Sequence, residues 1–272
     1  MPSEPPVLER VLAQFDGVPG AVVAFSGGVD SSLVLAAAAR ALGPERVLAA
    51  TATSPTYLDE ELAAAAGVAA RLGVEHLVLE THEFDDPRFV ENSRDRCYFC
   101  KAGLLDALLE VAAERGAIVV DGANADDSGD HRPGMKAAAE RGVLQPLLAA
   151  GVTKSEVRRL ARDLGLPTWD APQQACLASR VPYGEPITPD KLAAVAAAEK
   201  ALRELGFRQC RARHHGDVAR LEIESDQLER AFALRGQIVR AVRDAGFTFV
   251  TLDLEGFRTG SMNEARTHDT RR

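Results

Sequence analysis

Residues 21–35, AVVAFSGGVDSSLVL, have the residue types and the spacing of an anion-binding site. The apolar residues 21–25 predict a short buried strand, and an apolar run over 33–39 predicts the start of a helix. The Ser/Gly segment between them would aim backbone N–H groups at one point, where the helix dipole favours negative charge. Glycine permits close approach of a phosphate, hydroxyls add donors, and a carboxylate can hold Mg²⁺ against phosphate oxygens. The residues to which we give these roles are Gly27, Gly28, Ser26, Ser31 and Asp30.

The order of residues in this loop separates it from other phosphate loops. A Walker A loop carries Lys before its Ser/Thr, whereas Asp30 occupies that place here. The loop also lacks the G-x-G-x-x-G spacing of dinucleotide-binding folds. Residues 26–31, SGGVDS, resemble instead the loop of the PP-loop ATP pyrophosphatases. That resemblance implies an enzyme that cleaves ATP between its α and β phosphates and adenylates an oxygen of its substrate.

The sequence contains four cysteines, too few for a disulfide framework in 272 residues. Cys176 lies in a proline-rich loop shortly before Arg180, and a neighbouring cation favours the reactive thiolate. Cys97 and Cys100, which follow a polar loop, form one C-x-x-C pair without the second pair of a zinc site or the pattern of a thioredoxin. Together with Cys176 they would supply three ligands to a 4Fe–4S cluster and leave one iron open. Cys210 alternates with arginines in a predicted strand, and we expect it to be a packing residue.

The sequence alone leaves two possible roles for several charged residues. Arg211 and Arg213 are two apart in a predicted strand and therefore share one face. They form either a solvated basic edge, paired with glutamates of the next strand, or a clamp for a phosphate or carboxylate. Asp126 and Asp127 follow the predicted fourth strand, where they would serve a magnesium-bound pyrophosphate or cap a helix. Lys101, directly after the C-x-x-C pair, would neutralise a phosphate or simply be solvated.

Short apolar segments alternate with helical patterns along most of the chain. Such alternation predicts an α/β fold, a doubly wound parallel sheet with ligands at the carboxyl ends of its strands. Those ends include Ser26, Ser54 and Gly122. Thr153 and Glu156 resemble a capping box at the start of the predicted helix 153–164. The predicted strands are 21–25, 46–53, 75–80, 117–120 and 142–148, and the predicted helices are 5–15, 33–43, 58–72, 104–113 and 153–164.

The pattern changes after a proline-rich loop at 167–189, and a loop of that length without a function would be unusual. The segments after it predict a smaller C-terminal α+β domain. Its elements are a helix at 189–205, a hairpin of strands at 208–214 and 218–224, one or two helices at 228–245 broken near Gly236, and a strand at 247–254. We therefore expect an ATP-binding domain at 1–166, a connecting loop with Cys176 at 167–187, the α+β domain at 188–257, and a disordered tail at 258–272.

Composition limits the partners. Hydrophobic residues make up 46% of the chain, enough for a sizeable core, and no apolar run approaches the roughly 20 residues of a membrane helix. The first ten residues lack the basic and apolar regions of a secretion signal. A formal net charge of −8 disfavours nucleic acid, whose phosphates require a basic surface. We expect a cytoplasmic enzyme with a small-molecule substrate and with neither a nucleic-acid nor a membrane partner.

Several segments together resemble one family of the PP-loop superfamily, the LarE sulfur transferases. These segments are SGGVDSS, RCYFCK at 96–101, DGANADDSGDHRPG at 121–134, ACLASRVPYGEPIT at 175–188 and RARHH at 211–215. The resemblance implies that ATP adenylates the carboxylates of pyridinium-3,5-biscarboxylic acid mononucleotide, and that a sulfur nucleophile then displaces AMP. The products would be the thiocarboxylates of the nickel-pincer nucleotide cofactor. The resemblance also implies a ring-like homo-oligomer.

The family has two branches with different sulfur sources. In one, the cysteine matching Cys176 gives up its own sulfur and becomes dehydroalanine. In the other, three cysteines hold a 4Fe–4S cluster that delivers an added sulfide, and Cys97 and Cys100 are the feature that favours this branch here. The pattern and the resemblance together assign ATP and magnesium binding to Ser26, Gly27, Gly28, Asp30, Ser31, Ser54, Lys101, Gly122 and Asp127, substrate binding to Arg180, Arg211 and Arg213, catalysis to Cys176, and cluster binding to Cys97, Cys100 and Cys176.

Two other functions stay open at the level of the sequence. A cluster-dependent tRNA thiolase also joins a PP-loop to three cysteines, although the net charge of −8 and the lack of a recognisable RNA-binding module disfavour it. A non-enzymatic nucleotide sensor would bind ATP without releasing pyrophosphate, and a pyrophosphate assay separates the two classes.

Overall fold

The computed structural model of the protein describes residues 6–57, 59–129, 133–172 and 175–258. The expected tail beyond residue 258 and the expected helix start at Leu58 lie outside these ranges, as do Gln173 and Gln174 before Cys176. The chain divides into two compact units. The first comprises Met1–Phe89 and Arg94–Ala171, and the second comprises Val90–Ser93 and Pro172–Arg272.

The first unit is built on four strands: β1 (Ala21–Ala24), β2 (Val47–Thr53), β3 (Glu75–Glu80) and β4 (Ile118–Val120). They pair in the order β3-β2-β1-β4, and every pair is parallel. The registers Ala21↔Val47 and Ala21↔Ile118 place β1 between β2 and β4. All carboxyl ends therefore meet at one edge of the sheet, as the predicted parallel sheet requires.

Helices cover both faces of this sheet. Val22 and Val23 are neighbours in β1, and both are fully buried. Val22 packs in the same apolar core as Leu105, whereas Val23 belongs to a second core that contains Leu33. The predicted doubly wound α/β fold is thus confirmed. None of the helices that the structure describes is long and apolar enough to cross a membrane. The helices up to residue 163 are α1 (Val7–Leu12), α2 (Val29–Leu42), α3 (Asp59–Arg71), α4 (Pro87–Val90), α5 (Arg96–Arg115), α6 (Pro133–Glu140), α7 (Pro146–Ala149) and α8 (Lys154–Asp163).

Two of these helices begin earlier than the sequence predicts. Helix α2 begins at Val29 rather than at residue 33, and α5 begins at Arg96 rather than at residue 104. The first turn of α2 is mostly polar, and the apolar side chains at the start of α5 are the adjacent Tyr98 and Phe99, which show no helical spacing, so the hydrophobic periodicity used to predict both helices starts too late. As a consequence, Cys97 and Cys100 lie in the first turns of a long helix and not at the end of a loop.

The strand predicted at 142–148 is wrong. Only one bridge forms there, between Val120 and Leu144, and α7 follows immediately. Pro146 is the first residue of α7, where its missing N–H costs nothing, whereas in a central strand it would remove a hydrogen bond.

Helix α6 was not predicted. The capping box of α8 is confirmed, because Thr153 and Glu156 exchange hydrogen bonds as expected.

The second unit has a three-stranded mixed sheet of β5 (Cys210–His215), β6 (Val218–Ile223) and β7 (Phe249–Leu252). Strands β5 and β6 form the predicted antiparallel hairpin, and β7 pairs parallel to β6. The helices are α9 (Pro189–Glu204), α10 (Leu228–Ala233) and α11 (Arg235–Asp244), so the region after 228 forms two helices that meet at Leu234 rather than near Gly236. This is the predicted small α+β architecture.

Candidate functional site

The loop between β1 and α2 has the geometry of an anion cradle. Gly27 adopts φ +74°, and a Cβ there would lie 3.1 Å from the Cβ of Ala65 in α3, so only glycine fits without strain. The hydroxyls of Ser26 and Ser31 lie 3.2 Å apart. Ser31 Oγ also donates to the carbonyl of Gly28 at 3.1 Å. Both hydroxyls are therefore held at the mouth of the loop.

The N-terminus of α2 faces this loop. Gly28 is its N-cap residue, and no side chain among the described residues caps the helix. Helix N-termini leave N–H groups without intrahelical partners, and a phosphate is a suitable acceptor for them. The 14 residues of α2 also give it a substantial dipole. The residues present thus fit the phosphates of ATP.

Asp30, in the first turn of α2, is held by two residues from other elements. Its Oδ2 forms an ion pair with Lys154 Nζ at the start of α8, and its Oδ1 accepts a hydrogen bond from Asn124 Nδ2 at 3.1 Å. Neither Lys154 nor Asn124 was predicted to belong to the site. Lys154 stands inside the capping-box sequence, which we interpreted only as a helix start. The arrangement places one cation and one carboxylate beside the anion cradle.

The segment after β4 packs against this cradle. A Cβ on Gly122 would lie 3.0 Å from the backbone N of Ser31, so the close approach of the two segments requires glycine. Asp121 Oδ2 forms an ion pair with Lys101 Nζ at 3.3 Å, and this contact brings α5 to the same edge of the sheet. Asp127 accepts a hydrogen bond from the backbone of Asn124 at 3.0 Å and so stabilises its own turn. The predicted positions Lys101, Gly122 and Asp127 are therefore close to the loop, Lys101 as a paired rather than a solvated lysine.

Ser54 follows β2 at the same edge and belongs to a small polar group. Its hydroxyl lies 2.9 Å from that of Thr56, and both hydroxyls donate to Oε1 of Glu83, which follows β3. Glu83 is 9% exposed. Sequence analysis did not select Glu83, because it stands in an acidic stretch that gives no reason to distinguish it from its neighbours.

The two cysteines of the C-x-x-C pair lie three residues apart on α5, with Cys97 exposed and Cys100 half-buried. This spacing places both thiols on one side of the helix. Neither is in a disulfide. Taken separately, neither unit brings three or more His, Cys, Asp or Glu side chains into a metal-binding group within the described residues.

Cys176 belongs to the second unit, where a short turn at Leu177–Arg180 follows it. The Cys176 side chain is exposed. Arg180 is buried beneath the turn and donates to the carbonyl oxygens of Ala175 and Cys176, at 2.7 and 3.2 Å. Its other nitrogens form a bidentate pair with Glu199 of α9, at 2.7 and 3.0 Å. Arg180 thus ties the cysteine segment to the rigid part of the unit.

Arg211 and Arg213 are buried, with 8% and 5% of their surfaces exposed, so they do not form a solvated edge, whereas the expected pairing with a glutamate of the next strand is found for Arg213. Arg213 forms a bidentate pair with the fully buried Glu222, at 3.0 and 2.8 Å, and donates to the carbonyl of Ser179 at 2.9 Å. Burial and the nearby positive charge of Arg180 lower the pKa of Arg211 to about 10. Two of the three arginines around the cysteine segment, Arg180 and Arg213, are thus paired with buried glutamates.

Two further residues stabilise this segment, and sequence analysis selected neither of them. Asn92 is fully buried with φ +55°, and its side-chain amide donates to the carbonyls of Pro182 and Glu185 at 2.7 and 2.9 Å. Glu199 accepts from Arg180 and also from the backbone N of Ala212 at 3.1 Å. Cys210, by contrast, is buried as expected, and burial raises the pKa of its thiol to about 12.

The parallel sheet and its Ser-Gly-Gly loop define the class: this is an ATP-using enzyme of the PP-loop superfamily. The family model for asparagine synthase matches residues 13–107, which include that loop. The chain is 40% identical over 246 residues to the pyridinium-3,5-bisthiocarboxylic acid mononucleotide synthase of Lactiplantibacillus plantarum, covering 90% of this chain and 89% of that enzyme. The chain belongs to the LarE family of sulfur transferases.

The chain is also similar to two other proteins. An uncharacterized protein of Synechocystis sp. is 43% identical over 263 residues, covering 96% of this chain and 98% of that protein. An NH₃-dependent NAD⁺ synthetase of Hyperthermus butylicus is 33% identical over 163 residues, which is 56% of each chain. The second likeness covers only part of each protein, as expected for members of one superfamily with different acceptors.

Proposed function

We propose that this enzyme uses ATP to convert the carboxylates of pyridinium-3,5-biscarboxylic acid mononucleotide into thiocarboxylates. The observation that carries the proposal is the network of the second unit, in which Arg180 holds the Cys176 segment and Arg213 binds the same segment at Ser179. The arginines hold the segment that carries the exposed Cys176 thiol, and guanidinium groups are suited to binding the phosphate of a sulfur acceptor. The name of the relative from L. plantarum supports the identity of the product.

The first step would be adenylation in the first unit. A carboxylate oxygen of the substrate attacks the α-phosphorus of ATP, the bond from that phosphorus to the bridging oxygen of the β-phosphate breaks, and pyrophosphate leaves. Donors at the N-terminus of α2 and the ammonium of Lys154 would stabilise the charge that develops on the phosphates. Asp30 would hold Mg²⁺, which neutralises the phosphate oxygens when it is bound.

The second step would replace AMP by sulfur. If Cys176 is the donor, its thiolate attacks the acyl carbon and AMP leaves, giving a thioester. A base then removes the Cα proton of Cys176, the Cβ–S bond breaks, and the products are a thiocarboxylate and dehydroalanine. This route consumes one enzyme molecule for each sulfur transferred.

We favour the alternative in which Cys97, Cys100 and Cys176 hold a 4Fe–4S cluster. A cluster held by three thiolates leaves one iron open and supplies a place for added sulfide. Cys97 and Cys100 lie on one side of α5, the Cys176 thiol is exposed, and none of the three cysteines is in a disulfide. By this route Cys176 keeps its sulfur, the sulfur of the product comes from added sulfide, and AMP is released as before.

A product assay tests the proposed function. The protein, reconstituted anaerobically with iron and sulfide, is incubated with ATP, Mg²⁺ and the biscarboxylic acid mononucleotide. We expect pyrophosphate and AMP in equal amounts, together with a substrate in which sulfur replaces carboxylate oxygen by mass spectrometry. ATP binding without pyrophosphate release would indicate a nucleotide sensor, and thiolation of tRNA instead of the mononucleotide would indicate a tRNA thiolase. Either result would overturn the proposal.

Arg211 and Arg213 are proposed to bind the phosphate of the mononucleotide. Each charge-assisted contact contributes roughly 1.5–3 kcal/mol, so Arg211→Ala should weaken substrate binding about 10- to 100-fold and leave ATP binding unchanged. Arg213→Lys is the suitable second variant, because removing the charge altogether would leave the buried Glu222 unpaired. Titration calorimetry with each nucleotide measures both affinities.

The exposed Arg208, just before β5, provides the matched control for this experiment. Arg208→Ala removes a positive charge from an exposed position of the same unit and should bind the substrate normally. Unchanged substrate affinity in Arg211→Ala and Arg213→Lys together would exclude a clamp.

We also propose, from the family resemblance, that the chain forms a homo-oligomer, which sedimentation analysis measures.

A further inference from the structure

Glu83 uses only one of its two carboxylate oxygens. Oε1 accepts hydrogen bonds from Ser54 and from Thr56, the latter at 3.0 Å. Oε2 is buried and finds no hydrogen-bond partner among the described residues. A buried carboxylate oxygen without a donor is unfavourable, and buried polar atoms are almost always paired. The site therefore requires one more donor, and the adenylation chemistry proposed above offers one.

The sheet places this oxygen beside the phosphate loop. Ala24 at the end of β1 is level with Ala50, and β2 continues to Thr53 before Ser54. With about 3.3 Å per residue and about 4.8 Å between strands, Ser54 lies roughly 8–10 Å from Ser26. The contact between Gly27 and Ala65 holds α3, which begins just after the Ser54 turn, against the same loop. A ligand with phosphates in the loop would extend toward Glu83.

We infer that Glu83 Oε2 accepts a hydrogen bond from a ribose hydroxyl of ATP, so that Ser54, Thr56 and Glu83 form the ribose subsite. An ionised carboxylate only accepts hydrogen bonds, and the ribose hydroxyls are the donors of ATP nearest to its phosphates. In dinucleotide-binding sheets with the strand order 3-2-1-4, an acidic residue about 20 residues after the phosphate loop binds the ribose. Glu83 lies further along the chain, after β3, but it accepts a hydrogen bond from Ser54 just after β2. The sheet of this enzyme has the same order around β1. The inference rests on the proposed use of ATP.

The first test is substitution of the carboxylate. Glu83→Gln keeps the shape of the side chain and one acceptor for Ser54 and Thr56, but places an amide nitrogen or a weaker acceptor toward the ribose. ATP affinity measured by titration calorimetry with Mg²⁺ should fall about 10- to 100-fold. The matched control is Glu80→Gln, an exposed glutamate at the end of β3, which should bind ATP as the unaltered protein does.

The second test uses the unaltered protein and does not depend on a variant that folds. Either 2′-deoxy-ATP or 3′-deoxy-ATP should bind about 10- to 100-fold more weakly than ATP. In Glu83→Gln the same analogue should lose little further affinity, because the partner of the missing hydroxyl is already gone. Equal binding of ATP and both deoxy analogues to the unaltered protein would overturn the inference.

Further arms separate the other roles of a carboxylate at this place. If the loss in Glu83→Gln vanishes when Mg²⁺ is replaced by EDTA, Glu83 is a metal ligand and not a ribose acceptor. If inosine triphosphate binds weakly to the unaltered protein while both deoxy analogues bind normally, Glu83 accepts a hydrogen bond from the exocyclic amine of adenine and not from the ribose. Absence of ATP binding to the unaltered protein would instead overturn the proposed function itself, so the two failures are distinguishable.

Discussion

Replacing Asp30 by alanine should lower the rate of pyrophosphate release by about 100- to 1,000-fold, while the protein stays folded. The carboxylate is the proposed magnesium ligand and also orients Lys154 and Asn124 next to the phosphate loop. Without this carboxylate, the proposed Mg²⁺ would no longer be held against the pyrophosphate leaving group, and Lys154 would lose its ion-pair partner. Pyrophosphate release measured at saturating ATP and substrate tests this expectation.

The control for Asp30→Ala is Asp163→Ala, at the exposed end of α8, which should release pyrophosphate at the normal rate. Lys154→Gln provides a second comparison, because it removes the cation and leaves the proposed metal ligand in place. We expect it to slow the release less than Asp30→Ala does. A folded Asp30→Ala protein that adenylates as fast as the unaltered enzyme would exclude the role in magnesium binding.

Replacing Cys176 by alanine should abolish thiocarboxylate formation and leave adenylation intact. Both sulfur routes need this thiol, one as the donor and the other as a cluster ligand, whereas the loop proposed to bind ATP belongs to the other unit. The measurement is parallel quantification of pyrophosphate and thiocarboxylate. Cys210→Ala is the matched control, because the Cys210 thiol is buried and its pKa is raised to about 12. Normal thiocarboxylate yield from Cys176→Ala would contradict the assignment.

Intact-mass analysis of the unaltered protein after reaction then separates the two routes. By the cluster route the protein keeps its mass, contains iron, and turns over repeatedly with added sulfide. By the sacrificial route it becomes lighter by one hydrogen sulfide and reacts once. We expect the first result and a loss of repeated turnover in Cys97→Ala. Full activity of Cys97→Ala, or hydrogen sulfide loss from active iron-free protein, would overturn the cluster proposal.

Local sequence signals predicted the parts of this protein that depend on neighbouring residues. The strand, loop and helix around Gly27 follow from apolar runs interrupted by glycine and serine, and the parallel sheet follows from their alternation. The capping box at Thr153 was recognised because its two hydrogen bonds lie within one turn. The LarE resemblance also depends on short contiguous motifs. In these regions the residues that form a feature are adjacent in the chain.

The errors occur where local signals conflict or stop. Residues 142–148 have the apolar composition of a strand, but Pro146 is better accommodated as the first residue of α7. The apolar side chains at the start of α5 are the adjacent Tyr98 and Phe99, which show no helical spacing, so periodicity placed Cys97 in a loop, although Arg96 is buried and helical there. Amphipathic periodicity reports burial of one helix face against a core, and it does not detect a helical turn that lacks this spacing.

The sequence by itself determined the fold class, the phosphate loop, and the thiols and cations that the chemistry needs. The tertiary structure decided which polar groups meet: Lys154 with Asp30, and Glu83 with Ser54. It also decided that Arg211 and Arg213 are buried rather than solvated. Pairing across many residues depends on strand order and helix packing, whereas residue type and spacing act locally. Burial of a charge is favourable only when folding supplies its partner, and that partner is not adjacent in the chain.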